Sequence, residues 1–327
     1  MKTKALVFSK VDTYEVCELT LPDPNPDDIV VKTLVTAISP GTERWILRGK
    51  HMGTQFPCVP GYHRIGVVEQ CGKQVSQFQV GDIVYGCQGR WDEPIHSMWG
   101  AHVGHSVGHW TGYDFIDSSM PNAAELENLS FMVLTEVANR GIRFLDPKPN
   151  QTLAIIGCGI IGICAAQLAM LRGVTPILLD INPDSIALAK TLLPHVFSSN
   201  DSALEEKIAA IAPGGLDYLY DSVGHAPTTD AMVQQLKRQG MLLLQAQYFD
   251  KEKCALDLDQ IKLKEVTVKT TCGTDSQDRL DTMTNIRQRR LKIGPLITHR
   301  FKADQILKGY DLLHTGKPFS LGITFDW

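Results

Sequence analysis

The 327-residue chain lacks the sequence features of several protein classes. Its eight cysteines include no CxxC pair, which is typical of reduced thiols rather than of a disulfide framework or a structural zinc lobe. No apolar run approaches the length of a membrane span, and the N-terminal segment MKTKALVFSK holds only a four-residue apolar run. We therefore expect neither a transmembrane helix nor a signal peptide, and a cytoplasmic location.

An excess of basic residues is also lacking. Lys and Arg total 32 against 36 for Asp and Glu, and they form no basic run, which argues against a nucleic-acid partner. The length fits two domains, each large enough to bury an apolar core. Two domains suit an enzyme that binds a small molecule in a cleft.

The most informative segment of the chain is TLAIIGCGIIGICAAQLAMLRG, in which Gly157, Gly159 and Gly162 separate an apolar run from a segment with helical spacing. This arrangement is typical of a dinucleotide site. The first glycine permits a tight turn, the second lets the backbone approach a pyrophosphate, and the third lets the helix pack on the strand. The helix N-terminus, with Ile160 and Ile161, would face the phosphates.

A second apolar run, VTPILLD, ends at Asp180, about twenty residues after the glycine motif, where a ribose-binding carboxylate is expected. Such a carboxylate accepts hydrogen bonds from both ribose hydroxyls and repels a 2′-phosphate, and none of the next three residues is basic. The sequence therefore predicts NAD, rather than NADP, as the cofactor. The structural alternative is a glycine-rich turn without a ligand.

The two halves of the chain differ in their patterns. Short β-type runs fill the first 110 or so residues, helical spacing begins near Ala123, and strands then alternate with helices to about Thr267. This alternation predicts an α/β fold with a doubly wound parallel sheet. Four residues at carboxyl ends of its later strands are expected near the nicotinamide and its ribose: Ser222, Val223, Gln245 and Ala246.

The segments LPDPNPDDIVVKTLVTAISPGTE and VPGYHRIGVVEQCGKQVSQFQVGDIVYG, followed by the glycine motif, resemble the medium-chain dehydrogenase/reductase superfamily over essentially the whole chain. The resemblance implies a GroES-like, partly open β-barrel domain at residues 1–122 and a Rossmann domain at 123–267. It also implies that residues 268–327 return to the barrel domain, that substrate binds in the cleft, and that the protein is a homodimer.

Two shorter segments, SPGTERWILRGK and FPCVPGYHRIG, resemble the bacteriochlorophyllide a dehydrogenases. These enzymes oxidise the 3-hydroxyethyl group of a chlorin ring to 3-acetyl in bacteriochlorophyll biosynthesis. The narrower resemblance implies a large planar substrate with a secondary alcohol.

The chain departs from its zinc-dependent relatives at the metal ligands. Those enzymes carry a Cys in the segment that here reads PGTE, residues 40–43, and a His-Glu pair where this chain has Tyr62 and His63. Proline offers no donor atom, and a neutral phenol is a poor zinc ligand. The third ligand of polyol dehydrogenases corresponds to Glu136. We predict no catalytic zinc; the alternative is a displaced site made of Glu43, His63 and Glu136.

Without a metal, alcohol oxidation still needs a base for the hydroxyl proton and a group that polarises the developing carbonyl. The resemblance assigns Thr42 to the hydroxyl that hydrogen-bonds the substrate oxygen; a turn residue is its structural alternative. Tyr62 and His63 would reach the same oxygen in place of zinc, since an imidazole transfers protons near neutral pH. Glu43 and Glu136 either orient these groups or form ion pairs with Arg44 or Arg140.

Histidine and tryptophan are concentrated between residues 91 and 110. Aromatic rings would cover the flat face of a chlorin, and one imidazole would approach its central metal. The candidate substrate residues are Trp45, Trp99, His102 and His105. The alternative is a partly exposed strand and loop, in which His102 and His105 point to opposite faces and share no metal site.

Together these patterns predict an NAD-dependent, zinc-independent dehydrogenase that oxidises a secondary alcohol on a large planar substrate. Two alternatives remain open. A zinc-independent quinone or enone reductase needs the same nucleotide domain but no relay for an alcohol proton. A protein that binds NAD(H) without turnover would also explain the missing metal ligands.

Overall fold

The computed structural model describes residues 1–249 and 254–327, which form two compact units. Unit 1 comprises Met1–Val133 and Gly294–Trp327, and unit 2 comprises Leu134–Ile293. Both boundaries lie further along the chain than the sequence-based ones at 122/123 and 267/268. The second differs because residues just after 267 form a strand and a helix that belong to unit 2.

The elements alternate as the apolar patterns indicate. The described strands are β1 (Lys2–Lys10), β2 (Thr13–Thr20), β3 (Asp28–Ala37), β4 (Cys58–Val59), β5 (Arg64–Cys71), β6 (Ile83–Gly86), β7 (His96–Ser97), β8 (His105–His109), β9 (Tyr113–Asp117), β10 (Thr152–Ile156), β11 (Thr175–Asp180), β12 (Val196–Ser198), β13 (Leu216–Asp221), β14 (Leu236–Leu244), β15 (Thr267–Thr270), β16 (Ile297–Lys302) and β17 (Gly322–Asp326). The described α-helices are α1 (Pro40–Leu47), α2 (Ala123–Leu129), α3 (Met132–Leu145), α4 (Ile160–Leu171), α5 (Pro183–Lys190), α6 (Leu204–Ile211), α7 (Ala226–Val233), α8 (Leu258–Leu263), α9 (Ser276–Arg287) and α10 (Ile306–Thr315).

Unit 1 is mainly β. A four-stranded sheet has the order β2-β1-β4-β7, and a seven-stranded sheet has the order β16-β17-β3-β5-β6-β9, with β8 also paired to β3. The C-terminal strand β17 runs antiparallel to β3 and pairs Thr324 with Ala37. Helix α1 follows β3 directly, and the buried side chains of Phe8, Ile46 and Phe325 pack in the same core cluster. This is the GroES-like fold predicted for the N-terminal half.

Unit 2 is a doubly wound α/β unit. Its six-stranded sheet has the order β12-β11-β10-β13-β14-β15, and every neighbouring pair is parallel. The strand order reverses between β10 and β13, so a crevice is expected at the carboxyl ends of these two strands. The central strands are apolar on both sides, as in other parallel sheets covered by helices, with Ala154 and Leu219 fully buried. The predicted Rossmann sheet is confirmed.

A partly buried ion-pair network joins α9 to α3 inside unit 2. Arg143 donates to Asp278 at 2.6 Å and to Asp275 at 2.9 Å, and Arg140 also contacts both carboxylates. Asp275 is the N-cap of α9 and forms a capping box with Asp278, which is fully buried.

Among the described residues, no helix has the length and apolar character needed to cross a membrane.

Candidate functional site

The first glycine of the motif stands in a conformation that other residues avoid. Gly157 follows β10 with φ +105°, and its N–H donates to the carbonyl of Leu179 at 2.7 Å. A Cβ atom at this position would lie 2.6 Å from Val223 Cγ2 and 2.8 Å from Ser222 Oγ. Both the backbone angle and the lack of space therefore require glycine here.

The second and third glycines meet opposite surroundings. Gly159 is the N-cap of α4 without a side-chain cap, and a Cβ atom there would meet no heavy atom within 4 Å. A Cβ atom on Gly162 would lie 1.9 Å from the carbonyl oxygen of Gly157. The third glycine thus lets α4 pack on the turn, while the second leaves open space before the N–H groups of Ile160 and Ile161 at the helix N-terminus. This geometry fits a pyrophosphate.

Asp180 lies against the same turn. Its Oδ2 accepts a hydrogen bond from the Cys158 N–H at 2.7 Å, and its Oδ1 accepts one from the Asn182 N–H at 2.8 Å. A carboxylate oxygen has further acceptor capacity, so these bonds fix its orientation without filling it. Asp180, the residue predicted to bind the ribose, therefore lies beside the glycine turn.

The four residues predicted near the nicotinamide also lie at the carboxyl ends of β13 and β14. Ser222 Oγ donates to the carbonyl of Ile156, at the end of β10, at 2.6 Å. The N–H groups of Gln245 and Ala246 donate to the carbonyl of Asp221 at 3.2 and 3.1 Å. Together with the Val223 contact at Gly157, these bonds bring the predicted cofactor residues of unit 2 to the point where the strand order reverses.

Asp221, the last residue of β13, is a part of this site that the sequence reasoning missed. Its side chain is fully buried and accepts hydrogen bonds from the N–H groups of Val223 and Gly224 at 2.8 and 3.0 Å. The hydroxyls of Thr229 and Tyr248 donate to its other oxygen at 2.7 and 2.5 Å. Burial and this carboxylate raise the pKa of Tyr248, so its phenol stays protonated. The sequence did hold a signal for this residue, because Asp221 is an acidic residue at the end of a largely apolar strand.

In unit 1, α1 carries Thr42 and Glu43. Thr42 is half-buried, whereas Glu43 is 1% exposed and its Oε1 accepts a hydrogen bond from the Ser39 N–H at 2.8 Å. Its Oε2 lies 3.1 Å from His102 Nε2 and accepts a hydrogen bond from the Tyr310 hydroxyl. Glu43 therefore fixes the first turn of the helix that bears Thr42, and its partners are His102 and Tyr310 rather than an arginine.

His102 lies in the core of unit 1. It is fully buried, its Nδ1 is 2.9 Å from Thr36 Oγ1, and its ring packs edge-on against Tyr310 and Phe325. This placement differs from the predicted substrate-facing role, because no part of the side chain reaches the surface. His105 makes a separate contact, in which its Nε2 lies 3.3 Å from Glu69 Oε2. The imidazoles of His102 and His105 therefore share no site.

Tyr62 and His63, which the sequence analysis placed near the substrate oxygen, have aromatic neighbours. The ring of His63 stacks on Tyr85 with centroids 4.7 Å apart and an interplanar angle of 11°. Tyr62 meets Trp99 edge to face at 4.5 Å, and His51 meets the same indole at 5.4 Å. We call Tyr62, Trp99 and His51 the aromatic cluster. It brings two predicted site residues, Tyr62 and Trp99, into contact.

A buried arginine fixes the loop that carries Trp99, and the sequence reasoning overlooked it. Arg64 is fully buried and donates to the carbonyls of Gln88, at 2.8 Å, and Gly100. It also donates to the hydroxyls of Ser106 and Tyr113. A buried guanidinium needs such acceptors, so the loop between Gln88 and Gly100 is tied to the sheet.

The other predicted residues have simpler surroundings. Trp45 on α1 lies between two cations: Arg48 Cζ is 5.7 Å and Lys50 Nζ is 5.6 Å from its ring centroid. Glu136 on α3 is 1% exposed and lies 3.8 Å from Arg279 Nε. Glu136 thus pairs with Arg279, whereas the sequence suggested Arg140, which contacts Asp275 and Asp278.

Glu43, one residue of the displaced zinc site considered from the sequence, is buried in the core of unit 1. Its carboxylate is engaged there by the Ser39 N–H, His102 and Tyr310. Within the part of the chain that the structure describes, no group of three or more His, Cys, Asp or Glu side chains could hold a metal ion.

Comparisons with known proteins agree with this architecture. Residues 25–120 match the alcohol dehydrogenase GroES-like domain, and residues 161–287 match the zinc-binding dehydrogenase family. The chain is 25% identical to an L-threonine 3-dehydrogenase of Vibrio cholerae over an alignment of 357 positions, which covers all of both chains. It is 23% identical to an alcohol dehydrogenase of Cupriavidus necator, with 94% of each chain covered.

Solved structures show the same fold at lower identity. A putative zinc-binding dehydrogenase from Sinorhizobium meliloti, bound to NADP, has a TM-score of 0.86 at 21% identity, with all of both chains covered. Benzyl alcohol dehydrogenase from Acinetobacter calcoaceticus has a TM-score of 0.85 at 18% identity and covers 100% of this chain and 99% of its own.

Proposed function

Since the chain is a member of the medium-chain dehydrogenase/reductase superfamily and an oxidoreductase, we propose that it is an NAD-dependent, zinc-independent dehydrogenase that oxidises a secondary alcohol. The proposed substrate is the 3-hydroxyethyl group of a (bacterio)chlorophyllide, which would become 3-acetyl in bacteriochlorophyll biosynthesis. The glycine turn carries the proposal, because Gly157 and Gly162 allow the tight turn and the close packing of α4, while Gly159 leaves open space for a pyrophosphate.

Unit 2 would hold the cofactor. The open space before Gly159 and the N-terminus of α4 suit the pyrophosphate, and Asp180 would accept hydrogen bonds from the ribose diol. A 2′-phosphate would meet the negative charge of Asp180, which supports NAD over NADP. When bound, NAD supplies the hydride acceptor.

Unit 1 would handle the alcohol proton. Thr42 is half-buried on the first turn of α1, and Glu43 fixes that turn through the Ser39 N–H. We propose that the Thr42 hydroxyl accepts a hydrogen bond from the substrate hydroxyl and relays its proton, with His63 as the base. The stacking of His63 on Tyr85 holds the imidazole in one orientation.

Two observations support a reaction without zinc. The segment of residues 40–43 contains no thiolate, and Glu43 is engaged in the core. Tyr62, at the position of a metal-binding imidazole, presents a phenol that packs on Trp99. A neutral phenol polarises a developing carbonyl by hydrogen bonding rather than as a metal ligand.

The aromatic residues support a flat substrate. Trp99 and Tyr62 form a half-buried edge-to-face pair in unit 1, and the indole of Trp45 lies near the cations of Arg48 and Lys50. Indole and phenol rings favour stacking with an extended π-system. A homodimer and a cytoplasmic location belong to the same proposal, and light scattering of the purified protein tests the first.

The test is oxidation of a 3-(1-hydroxyethyl) chlorophyllide by the purified protein, followed by NADH absorbance. Turnover with NAD should exceed turnover with NADP. Thr42→Val should lower kcat by about 10²–10⁴-fold, while the matched control Thr42→Ser keeps the hydroxyl and most of the rate. If Thr42→Val leaves the rate intact, the proposed relay is wrong. Quinone reduction that persists in Thr42→Val without alcohol oxidation in the wild type would instead indicate the reductase.

A further inference from the structure

The buried carboxylate of Asp221 has no role in the reaction proposed above, yet four donors converge on it. Two are backbone N–H groups of the turn after β13, at Val223 and Gly224. The third is the hydroxyl of Thr229 on α7, and the fourth is the hydroxyl of Tyr248, which lies in the segment after β14. Asp221 therefore joins three parts of the chain at the end of one strand.

The segment after β14 lies tightly against the turn after β13. Gly224 has φ +82°, and a Cβ atom there would stand 2.4 Å from the carbonyl oxygen of Gln247. The N–H groups of Gln245 and Ala246 reach the backbone carbonyl of Asp221. The Tyr248 side chain continues this contact by crossing from the second segment to the carboxylate at the base of the first.

We propose that Tyr248 is a positioning residue that, through Asp221, holds residues 245–248 against residues 222–224 and so shapes the pocket for the nicotinamide and its ribose. The proposal rests on the proposed function. Both segments follow carboxyl ends of parallel strands next to the reversal of strand order, where a dinucleotide binds. The glycine turn and Asp180 would hold the other half of the cofactor, the adenosine and the pyrophosphate.

This division of the cofactor gives a specific expectation for Tyr248→Phe. Asp221 would keep three of its four donors, so the buried carboxylate stays satisfied and the fold is retained. Residues 245–248 would lose their side-chain tether to the turn. The variant should therefore bind the nicotinamide and its ribose less well and the ADP part of the cofactor normally.

The experiment compares NADH with ADP, which lacks the nicotinamide and its ribose, by titration calorimetry on the intact protein. Tyr248→Phe should raise the Kd for NADH about tenfold, as expected for a lost hydrogen bond to a charged group, and leave the Kd for ADP within about twofold. Tyr218→Phe is the matched control. Tyr218 lies on β13, the strand that ends at Asp221, but its hydroxyl donates at 2.5 Å to Gln151. Gln151 directly precedes β10, at the opposite end of the sheet.

A second variant separates positioning from general stability. Thr229→Val removes a donor from the same Asp221 oxygen and the contact of Thr229 with the Tyr248 hydroxyl, but leaves the hydrogen bond from Tyr248 to Asp221. It should therefore lower the melting temperature without selective loss of NADH affinity. The proposal is overturned if Tyr248→Phe weakens the binding of NADH and ADP equally, weakens neither, or behaves like Thr229→Val. A wild-type protein that binds neither ligand would contradict the proposed function itself.

Discussion

The glycine turn offers a pair of substitutions that separate cofactor binding from folding. Gly159→Ala and Gly162→Ala each add one methyl group to the same turn. At Gly159 the added Cβ meets no heavy atom within 4 Å, and at Gly162 it meets the Gly157 carbonyl oxygen at 1.9 Å. The same chemical change is therefore expected to affect ligand binding at one position and stability at the other.

For Gly159→Ala the effects on stability nearly cancel. The backbone angles, φ −77° and ψ 178°, suit alanine, and a less flexible unfolded chain stabilises the protein by about 0.4–1 kcal/mol. Alanine is a poorer N-cap than glycine by a similar amount. The melting temperature should change by less than about 2 °C. The NADH affinity should fall at least about tenfold, because the methyl group occupies the space proposed for the pyrophosphate.

For Gly162→Ala the methyl group meets backbone, which cannot move aside like a side chain. Even after a helix-propensity gain of about 1 kcal/mol, such overpacking should lower the free energy of unfolding by about 2 kcal/mol or more. The melting temperature, measured by calorimetry, should then fall by at least about 4 °C. The reasoning fails if Gly159→Ala binds NADH like the wild type, or if the two variants lose stability equally.

Two further predictions concern buried and capping carboxylates. Tyr310→Phe removes a donor from Glu43 in the core of unit 1 and should lower the free energy of unfolding by about 1–3 kcal/mol; an unchanged denaturation midpoint would contradict this. The Asp278 N–H and Arg143 hold the pKa of Asp275 below its usual value, so its stabilising contribution is complete above the unfolded pKa of about 3.9 and is lost as the pH falls through the depressed native pKa. Asp275→Asn should therefore lose less stability than the wild type between about pH 5 and pH 2, as followed by circular dichroism at each pH.

The sequence alone was sufficient for features whose determinants lie close together in the chain. The spacing of Gly157, Gly159 and Gly162 between an apolar run and a helix predicted the turn, because the positive φ of Gly157 and the close approach of Gly162 to the Gly157 carbonyl arise within one strand–turn–helix unit. The acid at Asp180 followed from the fixed length of one βαβ unit. Strand and helix alternation likewise indicated the parallel sheet, since it depends on local periodicity.

Tertiary structure alone decided which polar side chains are buried and what they contact. Glu43 contacts His102, which is 59 residues away in the sequence, and Tyr310, which is 267 residues away. Such separations leave no local pattern in the sequence. Arg64 and Asp221 likewise find their partners only after separate strands and loops have packed together. The sequence alone does not distinguish a polar residue that contacts a ligand from one that contacts a buried partner. Its burial depends on packing contacts with residues that are distant in the chain.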